Sequence, residues 1–302
     1  MTMFMPEGRA PMHAPISLSA LGEAMERRRI LEAKAVMCDS EHNLIVDLGG
    51  IQGIIPRQEG AVGIREGSVR DIALISRVNK PVCFTVTKLT QEGGKPLALL
   101  SRRAAQERCE EDYVCHLRPG DIIPARVTHL ESFGAFCDIG CGVVALMPID
   151  AISVSRIAHP RDRFRPGDDI FAVVRTVDDE GRISLSHREL LGTWEENAGR
   201  FQPGQTVSGI VRTVEDYGVF VELAPNLAGL AELREGVSPG QQASVYIKSI
   251  LPEKMKIKLI IIDSFEAEYR PQPPVYTMTQ GHIDHWLYSP EGCTKRIETT
   301  FA

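Results

Sequence analysis

An alternating stretch near the middle of the chain constrains the fold more than any other feature. It reads SFGAFCDIG at residues 132–140. Small or apolar side chains occupy every second position, at Ala135, Cys137 and Ile139, which predicts a β-strand that turns these three into a core. Phe136 then lies on the outer face of the strand, where no core requires an aromatic ring.

The glycine in this stretch decides where a second ring lies. In a regular strand Phe133 would face away from Phe136 and its outward neighbour Asp138, because the two phenylalanines are an odd number of residues apart. A bulge at Gly134 would bring both rings to the outer face, since a glycine inside a strand often marks a β-bulge. Two adjacent exposed rings can stack nucleic-acid bases. Alternatively, they cover a hydrophobic gap beneath a loop, because aromatic side chains mostly bury area.

Repetition of the stretch favours the stacking interpretation. The chain reads DYGVFVEL at residues 216–223, so that Tyr217 and Phe220 repeat the ring pair. A degraded copy, HNLIVDLG, has His42 and Ile45 at the positions of the rings. Three copies of one unit predict a tandem array in which two copies keep the outer aromatic pair.

The number of strand signals in each copy indicates the type of barrel. The second copy holds five short strand patterns, separated by polar turns, within about 70 residues. The third copy has the same pattern with a shorter connection between its third and fourth strands. This count fits the OB-fold, a five-stranded barrel whose closure removes exposed sheet edges.

We therefore expect an all-β chain of three tandem five-stranded OB-fold barrels, joined by short helical linkers and followed by a C-terminal β-hairpin tail. The predicted segments are a disordered tail with a short leading helix at 1–26, a degenerate barrel at 27–104, a helical linker at 105–116, a barrel at 117–190, a second helical linker at 191–201, a barrel at 202–263, and a Pro-rich segment with the hairpin tail at 264–302. Because linkers separate the repeats, we expect a beads-on-a-string array with small contacts between barrels.

The repeated unit resembles the RNA-binding repeat of bacterial ribosomal protein S1. The second copy carries that family's signature most fully, with PGD at 119–121, FGAF at 133–136 and EGRISLS at 180–186. The third copy is similar and the first loosely so. The histidine that the family often carries in the third strand is missing here. The aligned positions hold Pro56, Pro148 and Glu232.

This resemblance implies OB barrels that bind single-stranded RNA. The positions that match the family's RNA-facing residues are Phe133, Phe136, Asp178 and Arg182 in the second copy and Tyr217, Phe220 and Lys256 in the third. The resemblance further implies a monomeric, cytoplasmic protein without a cofactor that binds mRNA and acts in translation on the small ribosomal subunit. The alternative is a non-catalytic RNA-binding subunit of an RNA-decay or transcription complex.

Charge is unevenly distributed over the 302 residues, whose net charge is -6. Residues 27–104 carry 13 Lys and Arg against 8 Asp and Glu, whereas residues 117–190 carry 9 against 11 and residues 203–263 carry 6 against 7. The first copy, which lacks the rings, is therefore the most basic. It either supplies phosphate contacts or presents a solvated basic face.

Other classes of protein find little support in the sequence. No apolar run is long enough to span a membrane, and the N-terminus lacks the pattern of a secretory signal. The seven cysteines predict reduced thiols in a cytoplasmic protein.

Two candidate chemical sites are also weak. His282, His285 and Cys293 are loosely spaced for zinc, but a strand would turn the two histidines to opposite faces, so we predict no metal site. Ser186 and His187 are adjacent on one predicted strand and likewise diverge. We therefore predict that the protein is not an enzyme.

Overall fold

The computed structural model describes residues 4–9, 16–266 and 273–301. Its strands form three closed five-stranded barrels and one two-stranded sheet. The strands of the first barrel are β1 Leu31–Cys38, β2 Leu44–Asp47, β3 Gln52–Ile55, β4 Pro81–Glu92 and β5 Lys95–Ser101. Those of the second are β6 Ile122–Glu131, β7 Gly134–Gly140, β8 Val143–Pro148, β9 Asp169–Val177 and β10 Ile183–Ser186.

The third barrel and the tail complete the sheet structure. The third barrel consists of β11 Thr206–Glu215, β12 Gly218–Ala224, β13 Leu227–Ala231, β14 Gln242–Leu251 and β15 Lys256–Phe265, and the hairpin of β16 His285–Leu287 and β17 Glu298–Thr300. The α-helices are α1 Leu18–Glu26, α2 Ile72–Ile75, α3 Arg102–Asp112 and α4 Trp194–Ala198. None of the helices in the described ranges is long and apolar enough to cross a membrane.

All three barrels share one topology. The third strand of each runs parallel to the fifth, which closes the cylinder. Alternating apolar residues fill the interiors, and Ala135, Cys137 and Ile139 are almost completely buried as predicted. The predicted all-β fold of three five-stranded OB-type barrels with a C-terminal hairpin is therefore confirmed.

The described chain divides into two compact units. The first comprises the chain up to Leu117 with the segments Pro124–Arg126 and Asp138–Val144, and the second comprises Arg118–Ile123, Val127–Cys137 and the chain from Ala145 onward. The third barrel, the tail and most of the second barrel thus belong to a single unit.

The second and third barrels meet through buried polar groups. The Arg163 guanidinium, from the connection between β8 and β9, pairs with the buried Glu222 carboxylate on β12. Arg212 donates to the same carboxylate over 2.9 and 3.0 Å. The Asn226 side chain accepts a hydrogen bond from the Val154 backbone N–H at 2.9 Å. The prediction of beads on a string is therefore wrong for these two barrels, because a polar connection that reads as a solvated loop packs against the next barrel.

The C-terminal hairpin packs on both of these barrels. Trp286, Tyr288 and Phe301 are buried in one hydrophobic cluster with residues of the second and third barrels. The backbone N–H of Trp194 donates to the Tyr288 carbonyl at 3.0 Å, which ties α4 to the hairpin. The Ile283 N–H donates to the Gly120 carbonyl at 2.9 Å, next to the first strand of the second barrel. Residues 267–272 of the predicted Pro-rich segment lie outside the described residues.

The N-terminal segment Phe4–Arg9 is ordered and covers part of the first unit. Glu7 is buried, and its carboxylate accepts hydrogen bonds from Arg102 at 2.7 and 2.9 Å and from the Cys83 backbone N–H at 3.0 Å. The Arg102 guanidinium holds the pKa of Glu7 below its usual range despite the burial. The predicted disorder is wrong for residues 4–9. Residues 1–3 and 10–15 lie outside the described residues.

The same segment explains a further departure from the sequence prediction. Asp138, predicted to be exposed beside Phe136, is only 1% exposed. Its carboxylate accepts backbone N–H groups of Glu7 and Gly140 at 2.8 Å and of Gly142 at 3.0 Å. Burial raises the pKa of Asp138 to about 7. The side chain faces out of its strand, but the N-terminal segment closes over it, and strand periodicity cannot show this.

Candidate nucleic-acid interface

The two rings of the second barrel lie together at the end of the hairpin formed by β6 and β7. Phe133 is 55% exposed and Phe136 is partly buried. Their centroids are 6.0 Å apart and their planes stand at 89°. This edge-to-face contact leaves ring faces open to solvent, which is what a stacking base requires.

The third barrel repeats the arrangement closely. Tyr217 is 69% exposed and Phe220 is partly buried. The centroids of their rings are also 6.0 Å apart, with an interplanar angle of 88°. The two barrels therefore present the same aromatic geometry, and we call Phe133 with Phe136 and Tyr217 with Phe220 the ring pairs.

A tight turn, rather than the predicted bulge, brings each pair together. In the third barrel Glu215 pairs with Gly218 across the hairpin, so that Asp216 and Tyr217 form a two-residue turn. The irregularity in the ladder lies on the opposite strand, between Val211 and Thr213. The second barrel has a turn at the same place, at Ser132 and Phe133, with β7 beginning at Gly134, so this turn rather than a bulge at Gly134 accounts for the position of Phe133.

Glycine is required at the start of β7 and of β12 because the backbone of a neighbouring strand lies very close. A Cβ atom at Gly134 would lie 2.5 Å from the carbonyl oxygen of Met147, and one at Gly218 would lie 2.5 Å from that of Ala231. Any other residue would therefore push the hairpin away from the third strand of its barrel. Close backbone approach, and not a bulge, accounts for the Phe-Gly and Tyr-Gly motifs.

A histidine that strand periodicity did not indicate joins the ring pair of the second barrel. The His129 imidazole on β6 stacks on Phe136, with centroids 6.3 Å apart and planes at 27°. Glu131 holds this imidazole through a contact of 2.7 Å. Had residues 132 and 133 been interpreted as a two-residue turn, counting back along the hairpin would have placed His129 opposite Phe136.

The cation predicted for the second barrel is held by two acids. Arg182 is 72% exposed, and its Nε lies 2.7 Å from Asp178 while a terminal nitrogen lies 2.8 Å from Glu180. The hydrogen bond from Arg182 lowers the pKa of Asp178 below its usual value. The same carboxylate accepts the backbone N–H of Arg182 at 2.8 Å, which orders the turn. Arg182 therefore has to share its five donors between these acids and any phosphate.

The third barrel presents two lysines on its outer face. Strand register places Phe220 opposite Leu230 and Leu230 opposite Lys258, so that Lys258 lies on the same row as the ring. Lys256, two residues earlier, shares that face. Both are exposed, and neither forms an ion pair within the described part of the chain. The alternation KIKL at 256–259 turns both lysines to the outer face of the strand. The resemblance, however, predicts only Lys256 as an RNA-facing residue.

The first barrel has no counterpart of the rings. Ile45 pairs with Met37 on one side and with Ile54 on the other, so the equivalent row is aliphatic. His42 lies in the preceding turn at a φ of 63°. The His42 imidazole is partly buried and Ile45 has no ring, so this barrel offers much less ring surface for a base to stack on than the other two do.

The histidines considered for metal binding and catalysis have other partners. The His282 imidazole contacts Asp121 at 2.7 Å, and the His285 imidazole contacts Glu298 at 2.9 Å. Within the described ranges, no three His, Cys, Asp or Glu side chains are arranged to hold a metal ion. His187 is fully buried, with its ring nitrogens 3.1 Å from the Ile152 carbonyl and 3.2 Å from the Tyr276 hydroxyl. Burial lowers the pKa of His187 to about 4, so this imidazole is neutral and structural.

Comparison with known proteins agrees with this geometry. The S1 RNA binding domain family matches residues 116–188, which include the second barrel and its ring pair. The small ribosomal subunit protein bS1 of Staphylococcus aureus (strain COL) is 30% identical over 270 residues, covering 84% of this chain and 66% of the relative. The chain belongs to the S1-like proteins.

Two further proteins are similar to this S1-like chain. The protein bS1 of Staphylococcus haemolyticus is 31% identical over 263 residues, covering 81% of the chain and 64% of the relative. The S1-like chain thus spans about two thirds of the length of these relatives. A solved multidomain protein with nucleic acid binding domains from Streptococcus pneumoniae is 17% identical over 79% of this chain and 75% of its own, with a TM-score of 0.26.

Proposed function

We propose that this S1-like protein binds single-stranded RNA, including mRNA, through the ring pairs of its second and third barrels. The observation that carries the proposal is the repetition of one exposed edge-to-face ring pair at the same position of two barrels. Every base has a face that can stack on such a ring, so binding should be tolerant of sequence. We propose that Arg182, Lys256 and Lys258 neutralise the RNA backbone near the rings and that Asp178 orients Arg182, to which it is hydrogen-bonded at 2.7 Å.

Single strands fit this surface better than duplexes do. In A-form RNA the base faces are already stacked, and proteins reach mainly the backbone and the shallow groove. The ring pairs therefore have nothing to stack on in a duplex. The basic first barrel would add phosphate contacts, which depend on salt but not on base identity.

The relatives support a proposal for the cellular role. Those relatives are named small ribosomal subunit proteins, and we propose that this protein is a monomeric cytoplasmic component that acts in translation on that subunit. We also propose that it catalyses no reaction and needs no cofactor, because it resembles RNA-binding repeats and its five-stranded barrels account for most of the described chain.

The proposal predicts a clear preference for unpaired RNA. The full chain should bind a single-stranded RNA of 16 nucleotides about 10- to 100-fold more tightly than the corresponding duplex, because stacking is worth about 1–3 kcal/mol per base. Fluorescence anisotropy measures both affinities, and a denaturing gel shows whether the RNA keeps its length. Equal affinity for the duplex would contradict base stacking, and shortened RNA would contradict the absence of catalysis.

Co-purification separates the cellular roles. The tagged full chain should be recovered with small ribosomal subunits. Recovery with a nuclease or an RNA polymerase in place of ribosomal subunits would show that the protein serves an RNA-decay or transcription complex, and would overturn the role in translation.

A further inference from the structure

A basic groove lies between the second and third barrels, inside the second unit. The connection between β8 and β9 forms one wall and β11 forms the other, and the groove encloses about 390 Å³. The charged residues that line it are Arg161, Asp162, Arg165 and Arg212. Neither the family match nor the sequence patterns point to this groove.

Arg212 and Asp162 of the groove wall belong to an ion-pair network that is neutral as a whole. The Glu222 carboxylate accepts hydrogen bonds from Arg163 and Arg212, and Arg212 also lies 3.5 Å from Asp162. These two arginines and two acids form a neutral network that joins the barrels.

Arg161 and Arg165 remain outside the network. Both side chains are exposed, and neither forms an ion pair with another residue of the described ranges. They therefore give the groove a positive charge that no acid within residues 4–9, 16–266 and 273–301 pairs with. Two unpaired guanidinium groups on the wall of one groove suit a ligand with repeated negative charges, and arginine binds phosphate with well-defined geometry.

Residues of the groove lining are next in sequence to residues that contact a ring pair in each barrel. Its wall includes Leu130, the neighbour of the His129 imidazole that stacks on Phe136. The opposite wall includes Arg212, close in sequence to Thr213, which pairs directly with Phe220. An RNA strand that runs from one ring pair to the other would pass these lining residues.

We propose that the groove holds the phosphodiester backbone of an RNA strand that passes from the ring pair of the second barrel to that of the third, with Arg161 and Arg165 contacting its phosphates. This inference rests on the proposed function and adds a path to it. Because the buried network already fixes the two barrels against each other, a strand bound to one pair meets the second at high effective concentration.

Strand length and salt dependence together test the path. In the full chain, Arg161→Ala/Arg165→Ala should leave the affinity for an RNA of about 4 nucleotides unchanged, since such a strand fits one barrel. Its affinity for a 16-nucleotide strand should fall severalfold. The slope of log affinity against log salt should become shallower by about 1.4, since each phosphate contact to a single strand contributes about 0.7. Anisotropy titrations at several salt concentrations measure all three quantities.

A matched control removes the same charge elsewhere. Arg156 and Lys295 are exposed and lie outside the groove lining, so Arg156→Ala/Lys295→Ala should keep the slope and the length dependence of the parent. If both double variants lose affinity equally, the effect is one of net charge and the path is wrong. If the groove variant behaves as the parent, the path is wrong while the ring-pair proposal stands. If the parent itself binds neither RNA, the proposed function fails.

Discussion

Replacing Phe133 and Phe136 by alanine is expected to weaken the binding of single-stranded RNA by about 1–3 kcal/mol for each base that loses its ring, or about 5- to 150-fold per base. The melting temperature should barely change, because Phe133 is largely exposed and neither ring belongs to the barrel interior. Tyr217→Ala/Phe220→Ala should have a similar effect, since the geometry of that pair is the same. Anisotropy and thermal unfolding of each variant provide the two readouts.

A control distinguishes stacking from a general loss of apolar surface. Val275 and Met278 are exposed apolar residues outside both ring pairs, so Val275→Ala/Met278→Ala should bind RNA as the parent does. RNA affinity that is unchanged in both ring-pair variants would show that bases do not stack on these rings.

Loss of the Glu222 carboxylate is expected to destabilise the second unit by about 3–5 kcal/mol. In Glu222→Ala, Arg163 and Arg212 lose the buried acid that now compensates both of them. The measurement is denaturant unfolding followed by tryptophan fluorescence, because the chain has two tryptophans, Trp194 and Trp286, and both belong to this unit.

The exposed acid Glu253, in the same barrel, provides the matched control. Glu253→Ala should shift stability by no more than about 0.5 kcal/mol, as is usual for surface substitutions. If Glu222→Ala and Glu253→Ala unfold at the same denaturant concentration, the network between the barrels does not contribute the stability assigned to it.

The sequence predicted those features that depend on strand periodicity. The inward set Ala135, Cys137 and Ile139 is buried. Periodicity succeeds here because side chains alternate strictly across a pleated strand. The number of strand patterns per repeat then predicted a five-stranded OB-fold barrel, which the structure has.

Periodicity failed where one segment covers another. Asp138 faces outward from its strand, yet Phe4–Arg9 buries it, and Glu7 appears in the sequence as an ordinary charged residue of a tail. The junction around Glu222 is likewise built from charged residues that resemble a solvated surface. Buried ion pairs depend on partners far apart in the chain, so local patterns do not reveal them.

In the candidate site, too, local sequence patterns predict some residues, and others depend on contacts between distant parts of the chain. The rings follow from a local motif, whereas His129 and Lys258 follow only once the hairpin register and the strand order are known. The groove with Arg161 and Arg165 requires the packing of two barrels, which no pattern within one repeat specifies.

Photocrosslinking of the full chain to a single-stranded RNA, with the crosslinked residues identified by mass spectrometry, tests the central claim most directly. A base stacked on a ring is held in contact with it, so the ring pairs are expected to be the main crosslinked positions, at Phe133 or Phe136 and at Tyr217 or Phe220. Excess unlabelled single-stranded RNA should abolish these crosslinks, and duplex RNA should not. Crosslinks confined to residues 27–104 would contradict the account and place the RNA on the basic first barrel.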